Sequence, residues 1–154
     1  MRRQDKYPNT EWFVWYNANP KNRISTFDCV VRAISVLTNI SWEQTLRNIT
    51  ELGIPLGRVY NDEYVYNKYL ENLGYVKMAQ PKFANGTKLT GKQFCDLFKL
   101  PCVAHIGGHH MVYIDNGKVY DTWNSTVGTI GNFWVAQSNF NYANHFIHEL
   151  KGSR

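Results

Sequence analysis

Between residues 29 and 38 the apolar positions Val30, Ala33, Ile34 and Leu37 recur at three- and four-residue spacing, the period of one helix face. Asp28 just before them fits an N-cap, so the pattern predicts a helix from Cys29 to about Thr38. Ser41 opens a second helix, with Gln44 three residues on as in a capping box. Trp42, Leu46 and Ile49 form its apolar stripe, and Gly53 reads as its end. Asp62 caps a third helix, which runs to about Leu73 and stops at Gly74; Tyr66, Tyr69, Leu70 and Leu73 make its apolar face. Thr90 with Gln93 makes another capping box, predicting a short helix over 91–99.

Elsewhere the pattern is strand-like. Residues 11–16, E-W-F-V-W-Y, are aromatic and β-prone, and 75–79 read as a short strand. C-V-A-H-I after Pro101 is another. Residues 110–115 and 118–123 flank Asn116-Gly117, a two-residue turn of the primed type, and so predict a hairpin. N-F-W-V-A-Q near 132–137 follows, and F-I-H-E-L at 146–150 reads as a last strand. Helices first and then a run of antiparallel strands predict one α+β domain over residues 1–154, its N-terminal helices packed on an antiparallel sheet.

Composition narrows the function classes. A chain of 154 residues with 44% hydrophobic and 15% aromatic residues can close one well-packed core. The net charge of +5 comes from scattered residues, with no basic stripe, so it reads as a solvated surface and no nucleic-acid partner is expected. No apolar run approaches the roughly 20 residues that span a bilayer, and the N-terminus lacks the apolar core of a signal peptide. Three cysteines, Cys29, Cys95 and Cys102, are an odd number without a disulfide framework, which predicts free thiols and a cytoplasmic setting.

The chemistry-bearing residues lie far apart in sequence. Cys29 starts its helix, where unpaired backbone N–H groups and the positive end of the dipole favour a thiolate. Cys95 inside a helix and Cys102 in a strand read as core residues. His109 and His110 follow Gly107-Gly108. The hairpin register sets residue 112 opposite 121, so Asp121 lies diagonal to His110 on one face and within reach of it; His109 reads as a solvent-exposed rim residue. Arg32, one turn after Cys29 in an otherwise apolar run, either reaches solvent or is held by an acid such as Asp28 or a hairpin residue. Cys102, His105, His109 and His110 are close in sequence, but Cys102 and His105 face opposite sides of a strand, so neither a metal nor another cofactor is expected.

These segments resemble the papain-like cysteine peptidase superfamily, in its small single-domain form found in phage and Gram-positive bacterial genomes. The residues that carry the resemblance are D-C-V-V-R-A-I at 28–34, H-H-M-V-Y-I at 109–114 and G-K-V-Y-D-T-W at 117–123. The resemblance implies a papain-like fold and a thiol hydrolase that cleaves a peptide or isopeptide bond, with a peptide or protein as substrate. For a phage protein the setting would be the host cytoplasm. It implies Cys29 as nucleophile, His110 as general base and acid, Asp121 as the acceptor that orients the ring, and Trp123 as a shield over the pair. The family's oxyanion-hole Gln, several residues before the Cys, is missing; Asn17, Asn19 and Asn22 are the substitutes, with Asn22 nearest the expected spacing. Loss of that side chain would favour a different class of function, a catalytically weak or inactive protein of this fold that binds a host macromolecule.

Overall fold

A computed structural model describes residues 1–152. A short turn of helix, α1 (Arg3–Lys6), precedes strand β1 (Phe13–Trp15). Three helices follow: α2 (Cys29–Thr38), α3 (Trp42–Gly53), which runs on into a 3-10 turn at Ile54–Leu56, and α4 (Glu63–Asn72). Then come β2 (Tyr75–Met78), α5 (Gly91–Leu97), β3 (Cys102–Ile106), β4 (His110–Asp115), β5 (Lys118–Asp121), β6 (Ile130–Ala136) and α6 (Phe140–Leu150). The architecture is α+β.

The six strands form one sheet in the order β1-β5-β4-β3-β6-β2. Because β1 and β2 lie at opposite edges, the three helices between them cross the sheet. Val103, Met111 and Trp134 point into the core that these helices cover, with Val30, Ile34, Ile49, Val65 and Leu70. Their strand neighbours Ala104, Val112 and Phe133 point the other way, into a second core with Phe94, Phe98 and Ile147. Both faces are therefore buried, which is why all five residues of β3 are buried with no polar alternation. No helix among the described residues is long and apolar enough to cross a membrane.

Two expectations are corrected. The sheet is not wholly antiparallel: β1 pairs parallel to β5, with Phe13 opposite Val119 and Trp15 opposite Asp121. A parallel pair needs a long crossover, and the chain between β1 and β5 provides one. Residues 146–150 are not a strand but the end of α6. Over five residues an apolar run fits either period; over eleven, buried Ala143, Ile147 and Leu150 repeat at helical spacing.

The local signals differ in how they are used. Thr90 and Gln93 form both bonds of a capping box. Ser41 accepts from the Gln44 N–H, but the Gln44 side chain turns to Asn48 instead, so only half of that box exists. Asn116 and Gly117 both adopt positive φ, as the primed turn requires, and pair Asp115 with Lys118 and Tyr113 with Tyr120.

Candidate active site

Helix α2 sets Cys29 at its first position and packs across β4, the strand that begins with His110. The His110 ring and the backbone N–H of Met111 both act on the Cys29 thiol and favour its thiolate. The other side of the ring is held: His110 Nε2 lies 2.6 Å from Asp121 Oδ2. With Nε2 committed to Asp121, Nδ1 is left for the sulfur. Cys29, His110 and Asp121 thus form one continuous chain, in which Cys29 is half-buried, and Asp121 fully so. Trp123 lies against His110, ring centroids 5.1 Å apart at a 36° tilt, and covers the ring. His109 is exposed beside it.

Asp121 is anchored on several sides. It accepts from the Thr122 N–H at 2.7 Å and from Ser125 Oγ at 2.9 Å, and Arg32 Nη1 stands 3.5 Å away. Ser125 was not foreseen; a hydroxyl four residues past an acid in a turn is too common a pattern to single it out. Arg32 is the second link. Its Nε donates to Asp28 at 3.1 Å, so this cation bridges two buried carboxylates, Asp28 and Asp121.

Asp28 departs from its expected role. It stands at the N-cap position, yet its side chain makes no capping bond. Its carboxylate accepts from Arg32, from Asn19 Nδ2 at 3.0 Å and from Trp42 Nε1 at 3.0 Å. A buried charge is stabilised by three donors, and these draw it away from the helix. Consequently the first N–H groups of α2 have no side-chain cap and remain available to an anion at Cys29.

The expected oxyanion side chains are not at the thiol. The Asn19 amide is committed to Asp28, and its carbonyl accepts from the N–H groups of Lys21 and Arg23. Asn17 Nδ2 donates to the Arg23 carbonyl. Asn22 is exposed at a turn with φ 56° and does not line the cleft. In the turn-rich sequence N-A-N-P-K-N-R the Asn19 amide braces Asp28 and the Asn17 amide braces the loop itself, rather than either facing a substrate.

The electrostatics follow from these contacts. Burial pushes the Cys29 thiol up, but the His110 hydrogen bond, the Met111 N–H and the charges of His110 and Arg32 outweigh it and leave the pKa below the ordinary thiol value. Burial pushes His110 down, and the bonds to Asp121 and Cys29 overcome that and push it up to about 9. The two shifts favour one state, thiolate beside imidazolium. Cys95, by contrast, is pushed up to about 12 by burial, and burial likewise raises Cys102 well above the ordinary thiol value.

A cleft of about 310 Å³ opens beside the pair, lined by Cys29 and His110 with Arg3, Ile24, Phe27 and Trp123 among its walls. Phe27 is 83% exposed and held in a left-handed conformation, φ 56°, with Tyr60 donating to its carbonyl at 2.8 Å. An aromatic residue there is strained, and strain of this kind gathers at functional clefts. Among the described residues no group of three or more His, Cys, Asp or Glu converges as a metal site. The chain matches no family model, no curated protein and no solved structure.

Proposed function

We propose that the protein is a thiol hydrolase of papain-like type that cleaves an amide bond in a peptide or an isopeptide linkage. The observation that supports it is the Cys29–His110–Asp121 chain at an uncapped helix N-terminus, with a cleft beside it. A Cys-bearing helix packed over a strand that opens with His also fits the papain-like arrangement.

In this reading the Cys29 thiolate attacks the carbonyl carbon and the carbonyl π pair moves to oxygen. The backbone N–H groups at the start of α2, Cys29's own included, hold that oxyanion in place of the missing side chain. His110, protonated at neutral pH, delivers its proton to the leaving nitrogen as the C–N bond breaks and a thioester remains. The neutral ring then takes a proton from water as it attacks the thioester. The acid leaves, and the thiolate–imidazolium pair is restored. Asp121 keeps the ring aligned and stabilises its charge throughout.

The test is digestion of a synthetic peptide library, with new termini read by mass spectrometry. Cleavage that is lost in both Cys29→Ala and His110→Ala is the expected result. A library that emerges intact, from a protein whose Cys29 alkylates no faster than Cys95 and Cys102, would sink the hydrolase reading and favour a binding module on the same scaffold.

A further inference from the structure

Two arginines line the cleft at Cys29, and they are not equivalent. Arg32 is already ion-paired with both Asp28 and Asp121. Arg3 comes from α1, more than twenty residues before the nucleophile. Its Nε donates to the Thr122 carbonyl at 2.8 Å, and its guanidinium lies 5.5 Å from the Tyr7 ring. It makes no ion pair among the described residues. It is therefore a cation fixed through one nitrogen and set over a ring, with its two terminal NH₂ groups left for a ligand at the cleft. A planar fork held in this way suits a carboxylate, which it can bind through two parallel bonds.

Its place says which half of the substrate it meets. Thr122 directly follows Asp121, which holds His110, and His110 is the group that hands a proton to the leaving nitrogen. Arg3 thus stands on the leaving-group side of the thiol. Resting on the hydrolase reading above, we infer that Arg3 binds a carboxylate carried by the amine half of the substrate. The product released first is then an amine bearing a carboxylate: an amino acid freed from a chain end, if the group is a terminal carboxylate, or a peptide that begins with an acidic residue, if it is a side chain.

The test uses mimics of that amine half as protectants of Cys29 against iodoacetamide, at matched ionic strength. Leucine carries a terminal carboxylate, the α-amide of glutamic acid carries only a side-chain carboxylate, and leucinamide carries none. Either or both of the first two should slow labelling where leucinamide does not, and which one does so identifies the source of the carboxylate. In Arg3→Gln the protecting concentration should rise by about two- to five-fold, the scale of an exposed charge pair. Arg2→Gln removes the same charge from an exposed residue paired with Asp5, and should leave protection unchanged. No protection, equal protection by leucinamide, or protection that survives Arg3→Gln would overturn the inference while leaving the hydrolase reading intact. Cys29 that labels no faster than Cys95 and Cys102 would overturn both.

Discussion

Cys29 differs from the other two thiols in what its sulfur touches. Cys95 and Cys102 sit in the apolar core, where burial outweighs every nearby charge; Cys29 meets an imidazolium, a backbone N–H and the field of Arg32. Alkylation runs through the thiolate, so a lowered pKa moves the labelling profile to lower pH. We expect iodoacetamide at pH 7 to modify Cys29 at least about ten-fold faster than either buried thiol, read by peptide mapping of the folded protein. In His110→Ala the profile of Cys29 should move up toward the ordinary thiol range, because the hydrogen bond and the charge that lower its pKa are gone. Asp121→Ala should move it less, since Asp121 acts on the sulfur only through the ring. Equal labelling of all three cysteines would mean that no ion pair exists.

At the scale of an element, α3 ends at Gly53 as its sequence suggests, but without the left-handed turn that a terminal glycine usually makes. The glycine reads as a stop signal, but its φ is −78° and the chain continues into the turn at Ile54–Leu56; the left-handed residue that ends the run is Gly57. Gly53 serves a different need. The carbonyl of Arg58 comes so close that a Cβ at residue 53 would collide with it, and the Arg58 N–H bonds back to the Gly53 carbonyl at 3.1 Å. On helix propensity alone, Gly53→Ala would gain up to about 1 kcal/mol. The collision is with backbone, which cannot swing aside, so we expect a net loss of about 2 kcal/mol, the scale of an overpacked site. Urea denaturation checks the sign: a higher midpoint in the variant would show that the turn relaxes without strain.

Taken as a whole, the molecule is two helical layers that share one sheet as a common floor, and its N-terminal arm closes one edge of that sheet. β1 pairs with β5 up to Asp121, and the Tyr16 N–H bonds to the Asp121 carbonyl at 2.9 Å. Phe13 on that short strand is fully buried. Cutting it to Ala removes a large side chain from a well-packed place, so Phe13→Ala should cost about 3–5 kcal/mol, with the urea midpoint lowered and one cooperative transition retained. Two separate transitions would mean that the layers unfold independently and that the arm is not part of the common core.

Much of this was legible along the chain because it is local. The helix at Cys29, the capping box at Thr90 and the Asn116-Gly117 hairpin are set by a few adjacent residues, and the hairpin register alone brought Asp121 within reach of His110. Cys29 as the candidate thiol also followed from its place at a helix start. What the tertiary structure decided is long-range. The parallel seat of β1 depends on the crossover between distant segments. The course of 146–150 depends on the core that α6 must cover, because five residues satisfy either period. Asp28 looked like a cap and became the holder of Arg32, Asn19 and Trp42, since a buried carboxylate takes the donors that the fold brings to it. Arg3 entered the cleft through one bond to a carbonyl 119 residues away. No periodicity or neighbouring motif encodes such a contact, because only the closed sheet brings its two ends together.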